Sequence, residues 1–428
     1  MRGKGAGAGR LPNKLPYLLM GGHICVDAAQ GGLASVLPFL VIQSGYSYVE
    51  ITALVLASNS ASAVIQPLFG WLGDRKPRPW LMAVGVALAG LGIALIGVLD
   101  AFPLVVVAAM VSGIGNAMLH PEGARLANLA GGADKAVSMS IFSVGGQIGF
   151  CVGPVLSVAA ITAFGLAGTL AYLVLCIPYA LVLLAFNGRF LACGAGAGQA
   201  DGEAAGRDRW GAFSVVLGTL SVRSIVFYGV TSFFPLYLVS AFGTSEDAAA
   251  LLITAFSICG AVATALSGSV AHKVPTPRLM VLCFIFMTAS LALFVTAGDA
   301  WVCVALVMLL AVCVNLFNPA AVALSQAYLP AHLGMASGLS FGVAVCVGGV
   351  VSPALGALGD SVGLPLVIWM LAVFACVGLA LSMVVCVIEK RSIRACPLED
   401  GCYTPEHGGS DEDSSGACAA HDDVRGRG

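Results

Sequence analysis

Charged residues are scarce in this chain. Lys, Arg, Asp and Glu make up 10% of its 428 residues, against roughly 25% in a soluble domain, while 59% of the residues are hydrophobic. This composition excludes a water-soluble globule. Long apolar blocks run from Leu15 to Val387, and each is near the ~20 residues that cross a bilayer as a helix. The ~10-residue alternation of apolar and polar residues that is typical of a membrane β-barrel is missing.

Metal-binding and disulfide patterns are missing as well. The fourteen cysteines lie mostly singly inside apolar blocks, where they are typical of small buried residues. No C-x-x-C pair and no zinc-type Cys/His spacing occurs. No nucleophile or metal constellation converges in the sequence. We therefore expect no cofactor, no metal and no enzymatic activity.

Twelve apolar spans are expected when the sequence is divided at charges, prolines and turns. They predict an all-α membrane protein of twelve transmembrane helices in two parallel six-helix repeats. The spans cover about 15–42, 48–72, 80–99, 103–129, 137–164, 167–190, 213–241, 247–271, 278–297, 300–328, 334–359 and 363–388. The corresponding domains are a basic N-terminus (1–14), a first bundle (15–190), a flexible linker (191–212), a second bundle (213–389) and a disordered acidic tail (390–428).

The loops on the two sides of the membrane differ in charge. Lys and Arg occur in the N-terminal segment, between the second and third spans, in the linker and after the last span. The opposite loops contain Asp and Glu but neither Lys nor Arg. The positive-inside rule therefore predicts that both termini are cytoplasmic.

The two halves of the chain resemble each other at a fixed offset. Gly70 and Gly268 are 198 residues apart, and Pro154 and Pro353 are 199 apart. Six spans per copy give both copies the same orientation in the membrane. Such paired bundles are typical of alternating access, in which a midplane site opens to each side in turn. The alternative is that the duplication only builds a large helical bundle.

Polar groups inside the spans are few. A charge at the centre of a span costs about 2.5–3.5 kcal/mol, so it is rare without a partner or a cavity. His23 and Asp27, four residues apart, share one helical face, whereas His120 and Glu122, two apart, do not. The candidate substrate- or proton-binding residues are His23, Asp27, Asn59, His120, Glu122, Arg125, Gln147, Arg223, Asn315 and Asn318.

Two interpretations of the acidic residues are open. Asp27 or Glu122 can carry protons, because a poorly solvated carboxyl can exchange a proton near neutral pH. Alternatively, either acid forms a fixed ion pair with Arg125 or Arg223. Arg223 is the candidate for an anionic substrate, because guanidinium binds phosphate, phosphonate or carboxylate through two hydrogen bonds.

The two intramembrane histidines have several possible roles. His23 and His120 can bind anions when protonated, relay protons, or donate a hydrogen bond to a carbonyl, and the last role is expected first. A metal site that includes Asp27 and Glu122 is conceivable by ligand type, but no metal-binding spacing supports it.

Two segments are candidates for gating. The loop that starts at Gly70 reads G-W-L-G-D-R-K-P-R-P and places Asp74 and Arg75 at a helix end. In the fifth span a G-x-x-x-G-x-x-x-G face precedes a proline, which favours close helix packing and a bend. The predicted gating residues are Gly70, Asp74, Arg75, Gly145, Gly149, Gly153 and Pro154. Topology signalling and plain helix packing are the alternatives.

These motifs resemble the major facilitator superfamily. In its G-x-x-x-D-R-x-G-R-R loop, the Asp and Arg form a charge latch between bundles, and here prolines replace the later Gly and the last Arg. His272 stands where Asp74 would recur in the second half, so any latch is asymmetric. The Gly-Pro face is similar to that of the antiporters of this superfamily, in which the helix lies at the bundle interface.

A more specific resemblance is to the fosmidomycin-resistance family. It rests on G-H-x-x-x-D at 22–27, Q-P-L-F-G at 66–70, H-P-E-x-x-R at 120–125 and the Gly-rich fifth span to Pro154. A matching second-half segment runs from Leu329 to Gly342. The resemblance implies proton-driven export of drugs such as the phosphonate fosmidomycin, and it includes a basic residue in the seventh helix, as Arg223 is. It also favours a bacterial inner membrane.

Proton-coupled efflux of a small drug-like or anionic solute is therefore the expected function. Uptake or facilitated exchange of a metabolite on the same fold is the alternative. A receptor or scaffold would need ordered segments outside the bilayer, and the loops are short. The expected partners are a small-molecule substrate, protons and the lipid bilayer, without nucleic acid, and the chain is expected to work as a monomer.

Overall fold

The structure, a computed structural model, describes residues 14–200 and 207–395, and these residues form helices joined by short turns. Most of the predicted N-terminal segment, part of the linker and the tail from residue 396 lie outside the described residues. The first half contains α1 (Leu15–Ser44), α2 (Tyr48–Arg75), α3 (Trp80–Ile96), α4 (Phe102–Gly131), α5 (Lys135–Phe164), α6 (Ala171–Ala185) and α7 (Asn187–Ala200).

The second half contains eight helices, because two of its predicted spans are interrupted. They are α8 (Trp210–Phe242), α9 (Glu246–Lys273), α10 (Thr276–Thr296), α11 (Ala300–Leu316), α12 (Asn318–Tyr328), α13 (Leu333–Gly338), α14 (Ala344–Val362) and α15 (Leu364–Ala395). Both halves belong to one compact unit that ends at Glu389.

The helices are long and apolar enough for a membrane protein. Nine helical stretches of the described chain meet the length and hydropathy of a membrane span, and one of them, Phe102–Ala185, holds α4, α5 and α6. The 17-residue α3 is a shorter apolar helix. Together they account for all twelve predicted spans, so the predicted fold class is confirmed.

Equivalent turns show how the repeat is encoded. Gly45 ends α1 and Gly243 ends α8, each in a left-handed conformation (φ 71° and 64°) that glycine adopts without steric cost. Ser47 and Ser245 then begin α2 and α9, and the hydroxyl of each accepts a hydrogen bond from the backbone N–H three residues later. Both pairs are separated by the 198-residue offset of the sequence.

Helix interruptions are the main departure from the predicted spans. The span predicted over 300–328 divides at Phe317, because Pro319 has no N–H to donate to the carbonyl of Asn315. The span predicted over 334–359 contains a π-helical turn (Leu339–Val343) between α13 and α14. The first part of the predicted flexible linker is helical, since α7 continues to Ala200.

The halves pack closely at one end of the molecule. We call this end, where α1 begins and α2 ends, the linker side, and the opposite end the far side. A Cβ atom on Gly70 would collide with the backbone of Gly334, and one on Gly268 would collide with the backbone of Val137. These two contacts are repeat-equivalent, so the halves meet through matching surfaces on the linker side.

Candidate substrate and proton site

Two histidines and an aspartate meet inside the first half. Nε2 of His23 lies 3.1 Å from Oδ2 of Asp27, one turn along α1, and 3.1 Å from Nε2 of His120 on α4. Nε2 of His120 lies 3.5 Å from Oδ1 of Asp27. All three residues are 3–6% exposed. The spacing predicted that His23 and Asp27 share a face, and the fold adds His120; we call the three residues the His–Asp cluster.

Backbone carbonyls orient both imidazoles. Nδ1 of His23 donates to the carbonyl of Phe142 on α5 at 2.7 Å, and Nδ1 of His120 donates to the carbonyl of Asn116 at 3.0 Å. The predicted carbonyl hydrogen bonds are therefore present. Because Nδ1 carries the proton in both rings, each Nε2 points into the cluster as the atom that can gain one.

A glycine and two aromatic rings enclose the cluster. The Cβ of any larger residue at position 146 would lie 2.6 Å from Oδ2 of Asp27 and 2.7 Å from Nε2 of His23. The ring of Phe142 stacks on His23 at 4.2 Å, and Phe341 of the second half lies 5.4 Å from the His120 ring. The cluster is thus in contact with both halves.

Glu122 has a different environment from Asp27. Its carboxylate accepts hydrogen bonds from Nε and Nη2 of Arg125 at 2.8 and 2.7 Å, and both side chains are buried. This is the fixed ion pair that was open as an alternative. Glu122 and His120 do point in different directions, as their spacing predicted.

A row of amides leads away from the cluster towards the far side. Asn116, one turn above His120, donates to the side-chain oxygen of Gln30, and Gln30 donates to Asn59 at 3.2 Å. Asn59 is exposed. The sequence interpretation missed Gln30, although it lies three residues after Asp27 and so on the same face of α1.

A second polar group joins the two halves at mid-depth. Arg223 of α8 donates through Nε to the carbonyl of Val314 at 2.9 Å and through Nη2 to the side-chain oxygen of Asn315 at 3.1 Å. Gln147 of α5 donates to the same oxygen of Asn315 at 3.2 Å. Among the described residues, no carboxylate pairs with Arg223. The alternative of a fixed ion pair at Arg223 is therefore wrong for this structure.

Asn318 is the one predicted site residue that remains outside these groups. It is half-buried and begins α12, directly after the break at Phe317.

On the linker side, Asp74 has a different partner from the one that the family resemblance implied. Asp74 accepts hydrogen bonds from the backbone N–H groups of Gly334 and Met335, at 2.7 and 2.8 Å, in the first turn of α13. Arg75 takes no part, because its guanidinium lies 3.9 Å above the Trp71 ring. A latch between Asp and backbone donors thus replaces the expected Asp–Arg charge latch.

The second half makes its own contact at the equivalent loop. Nε2 of His272 lies 3.5 Å from Oδ1 of Asp134 in the turn between α4 and α5. The latch is asymmetric, as the residue types predicted.

A buried amide pair on the linker side also went unnoticed in the sequence. Asn128 of α4 donates to Gln326 of α12 at 2.7 Å, and Gln326 donates to the carbonyl of Ala124 at 3.1 Å. Asn128 and Gln326 are 198 residues apart, so the repeat offset was the signal that could have found them.

The glycine face of α5 packs against α1 within the first half. A Cβ atom on Gly145, Gly149 or Gly153 would lie within 2.8 Å of a backbone oxygen of α1. The plain packing interpretation is therefore the observed one for these glycines, while other residues of α5 contact α9 of the second half.

An apolar groove lies apart from the intramembrane charges. A groove of about 430 Å³ lies between α2 and α14, and its lining is apolar. It includes Pro67 and Cys346 and neither Arg223 nor the His–Asp cluster.

Comparison with known proteins accords with this fold and these motifs. The sequence profile of the Major Facilitator Superfamily matches residues 19–193 and 215–400. The chain is 28% identical over 351 residues to the fosmidomycin resistance protein of Escherichia coli (strain K12), covering 81% of this chain and 86% of that protein. It is 26% identical over 364 residues to the uncharacterized MFS-type transporter YfnC of Bacillus subtilis (strain 168), covering 82% and 88%.

Solved structures show the same fold at low sequence identity. The E. coli fucose:proton symporter FucP has a TM-score of 0.68 at 14% identity, covering 86% of this chain and 98% of that one. The proton:xylose symporter XylE has a TM-score of 0.66 at 13% identity, covering 86% and 94%. The chain therefore belongs to the Major Facilitator Superfamily of transporters, and within it resembles the fosmidomycin-resistance type.

Proposed function

We propose that this transporter exports a small anion-bearing solute in exchange for protons. The observation that carries the proposal is Arg223, a guanidinium between the two halves that has two neutral acceptors and no carboxylate partner among the described residues. A permanent cation inside a membrane protein is stabilised by an anion, and guanidinium suits phosphonate, phosphate and carboxylate. The name of the relative from E. coli makes fosmidomycin the first solute to test.

The His–Asp cluster supports the coupling to protons. Glu122 is engaged by Arg125, so Asp27 is the acid that remains near groups that exchange protons in the physiological range. The amide row from Asn59 to Asn116 connects the cluster towards the far side, which supports loading of protons from there.

The contacts on the linker side support alternating access. The Asp74 latch, the Asn128–Gln326 pair and the close approach of Gly70 to Gly334 hold the halves together at that end. Solute entry from the linker side requires these contacts to open. Basic loops on the same side support a cytoplasmic location for both termini and an inner-membrane protein, and we propose that one chain is the working unit.

Uptake is the second candidate, and a charge argument favours it. With one proton on the His–Asp cluster and one monoanion at Arg223, the whole site has no net charge. Without either of them the site is also neutral, because the Asp27 carboxylate balances the Arg223 guanidinium. A site without net charge changes its exposure from one side of the membrane to the other at the lowest electrostatic cost. This charge balance therefore suits movement of the proton and the anion in the same direction.

Everted membrane vesicles distinguish the two directions. We expect that vesicles energised with an inside-acid proton gradient accumulate radiolabelled fosmidomycin, and that an ionophore abolishes the accumulation. Arg223→Gln should reduce the initial rate about tenfold or more, since a hydrogen bond to a charged group contributes about 1.5–3 kcal/mol. Loss of preloaded solute from these vesicles on imposing the gradient would favour uptake, and no response in either direction would reject fosmidomycin as a solute.

A further inference from the structure

We propose that His23 and His120 together hold the exchanged proton, shared between their Nε2 atoms, and that Asp27 is its fixed counter-ion. The role of this proton in transport rests on the proposed function, whereas its location rests only on the geometry of the cluster. The sequence alone left open whether a carboxylate of Asp27 or Glu122, or one of the histidines, carries the proton.

The argument begins with the Nδ1 atoms. A carbonyl oxygen can only accept a hydrogen bond, so the contacts to Phe142 and Asn116 require a proton on Nδ1 in both rings. In a neutral ring that already has its proton on Nδ1, Nε2 has a lone pair. Without a further proton, the two Nε2 atoms of His23 and His120 would present lone pairs to each other at 3.1 Å.

A single added proton removes this repulsion between the two Nε2 atoms. On Nε2 of either ring it can donate to the other Nε2, and Asp27 lies 3.1 Å from His23 and 3.5 Å from His120 to balance the charge. Oδ1 of Asp27 is buried and makes no hydrogen bond with the residues that the structure describes. Nε2 of His120 is 3.5 Å from this oxygen, so a proton on His120 places positive charge beside the Asp27 carboxylate without a second hydrogen bond.

The count of charges also favours one proton. With one added proton the cluster contains an imidazolium and a carboxylate and is neutral. With none it has a buried negative charge, and with two it has two cationic rings whose centroids are 4.7 Å apart. A buried net charge is costly in either case, so the singly protonated cluster is the most stable state.

The groups that face the cluster leave this count unchanged. From α4, Glu122 is neutralised by Arg125, and α5 contributes the Phe142 carbonyl and Gly146. From the second half, Phe341 packs on His120, and the Tyr228 phenol lies within electrostatic range of Asp27. Neither Phe341 nor a neutral phenol contributes a charge.

Nitrogen NMR of the full-length protein with ¹⁵N-labelled histidine tests the site directly. We expect His23 and His120 to have protonated Nδ1 atoms throughout the titration, and their two Nε2 signals to change together as one proton binds. In His120→Gln, the signal of His23 should titrate alone, and at a shifted pH. His272→Gln is the matched control, because this half-exposed histidine is paired with an aspartate outside the cluster and should leave both signals unchanged.

The proposal is overturned if the two rings titrate independently, so that His120→Gln leaves the His23 curve as in the wild type. It is also overturned if a protonated carboxyl band, absent from Asp27→Asn, appears in the infrared spectrum over the same pH range. Stoichiometric zinc in the purified protein, bound at the same three side chains, would replace the shared proton by a metal and would likewise overturn it.

Transport measurements separate this inference from the proposed function. His120→Gln should lose accumulation of fosmidomycin driven by the proton gradient, yet keep exchange of labelled for unlabelled solute, because exchange needs no net proton movement. If the wild type transports no anion but shows the coupled titration, the proposed function fails and the proton site stands. If transport is proton-coupled but the two rings titrate independently, the shared-proton site is rejected and the proposed function is kept.

Discussion

The two acids of the first half show how strongly neighbouring residues decide a side chain's role. Asp27 and Glu122 are equally buried, yet Glu122 has a guanidinium partner and Asp27 has two imidazoles. The sequence located both acids inside spans. It could not decide between them, because the choice depends on side-chain directions across three helices.

The Glu122–Arg125 pair is predicted to be structural. Glu122→Gln leaves the buried Arg125 without a charged partner, so we expect a loss of about 3–5 kcal/mol in stability. The melting temperature of the purified protein should fall clearly. The double variant Glu122→Met/Arg125→Met should recover most of the loss, because the buried charge is then gone. If Glu122→Gln is as stable as the wild type and defective only in proton coupling, the carrier interpretation of Glu122 is restored.

At Arg223, the prediction concerns geometry as well as charge. Arg223→Lys keeps a positive charge but cannot bind an anion through two parallel N–H hydrogen bonds. We therefore expect transport of an anion to fall by about tenfold. The apparent affinity for the solute in exchange assays is the measurement. Arg189→Lys, on α7 and away from the mid-depth group, is the control. Equal transport by Arg223→Lys and the wild type would show that Arg223 acts only as a point charge.

At the scale of elements, small residues decide how closely the helices approach. The contact between α1 and α5 depends on glycines that leave no room for a Cβ atom, and the same contact positions His23 beside the Phe142 carbonyl. The periodic glycines predicted a packing face in the sequence. The partner of that face could not be predicted, because a smooth stripe fits any helix.

We expect Gly149→Ala to separate α1 from α5. Its Cβ would lie 2.7 Å from the carbonyl oxygen of Ile24 and 2.8 Å from Cβ of Asp27, and neither atom can move without its backbone. Overpacking of this kind costs about 1–3 kcal/mol, which a thermal-shift assay detects. Gly349→Ala is the matched control, since a Cβ on that helical glycine meets nothing within 4 Å. Equal melting temperatures for the two variants would contradict the close packing.

At the scale of the whole molecule, matching surfaces of the two halves meet on the linker side. Asp74 of the first half binds backbone N–H groups of the second, whereas His272 of the second half contacts the Asp134 carboxylate of the first. The two equivalent contacts therefore use different chemical groups. A charged residue that accepts backbone N–H groups at a helix start is stabilised further by the helix dipole. Loss of this contact should shift the balance between the two access states.

Asp74→Asn should loosen the linker side. The amide oxygen lacks the charge that strengthens the bonds to Gly334 and Met335, so we expect faster amide hydrogen exchange in α13, by about threefold to tenfold for a loss of about 0.7–1.4 kcal/mol. Exchange mass spectrometry of Leu333–Gly338 measures this effect. Asp100→Asn, in the exposed turn between α3 and α4, is the control. Unchanged exchange in α13 would mean that the glycine contacts alone close this side.

The sequence by itself determined the twelve apolar spans, the duplication and the few polar side chains allowed inside them, because the bilayer imposes length and hydropathy on every segment separately. Only the tertiary structure decided that Arg223 pairs with no acid among the described residues, that His120 meets His23, and that Asp74 binds a helix start rather than an arginine. Those outcomes depend on the rotation and depth of helices that are far apart in the chain. These contacts arise from packing between helices, so the residue pattern of a single helix does not predict them.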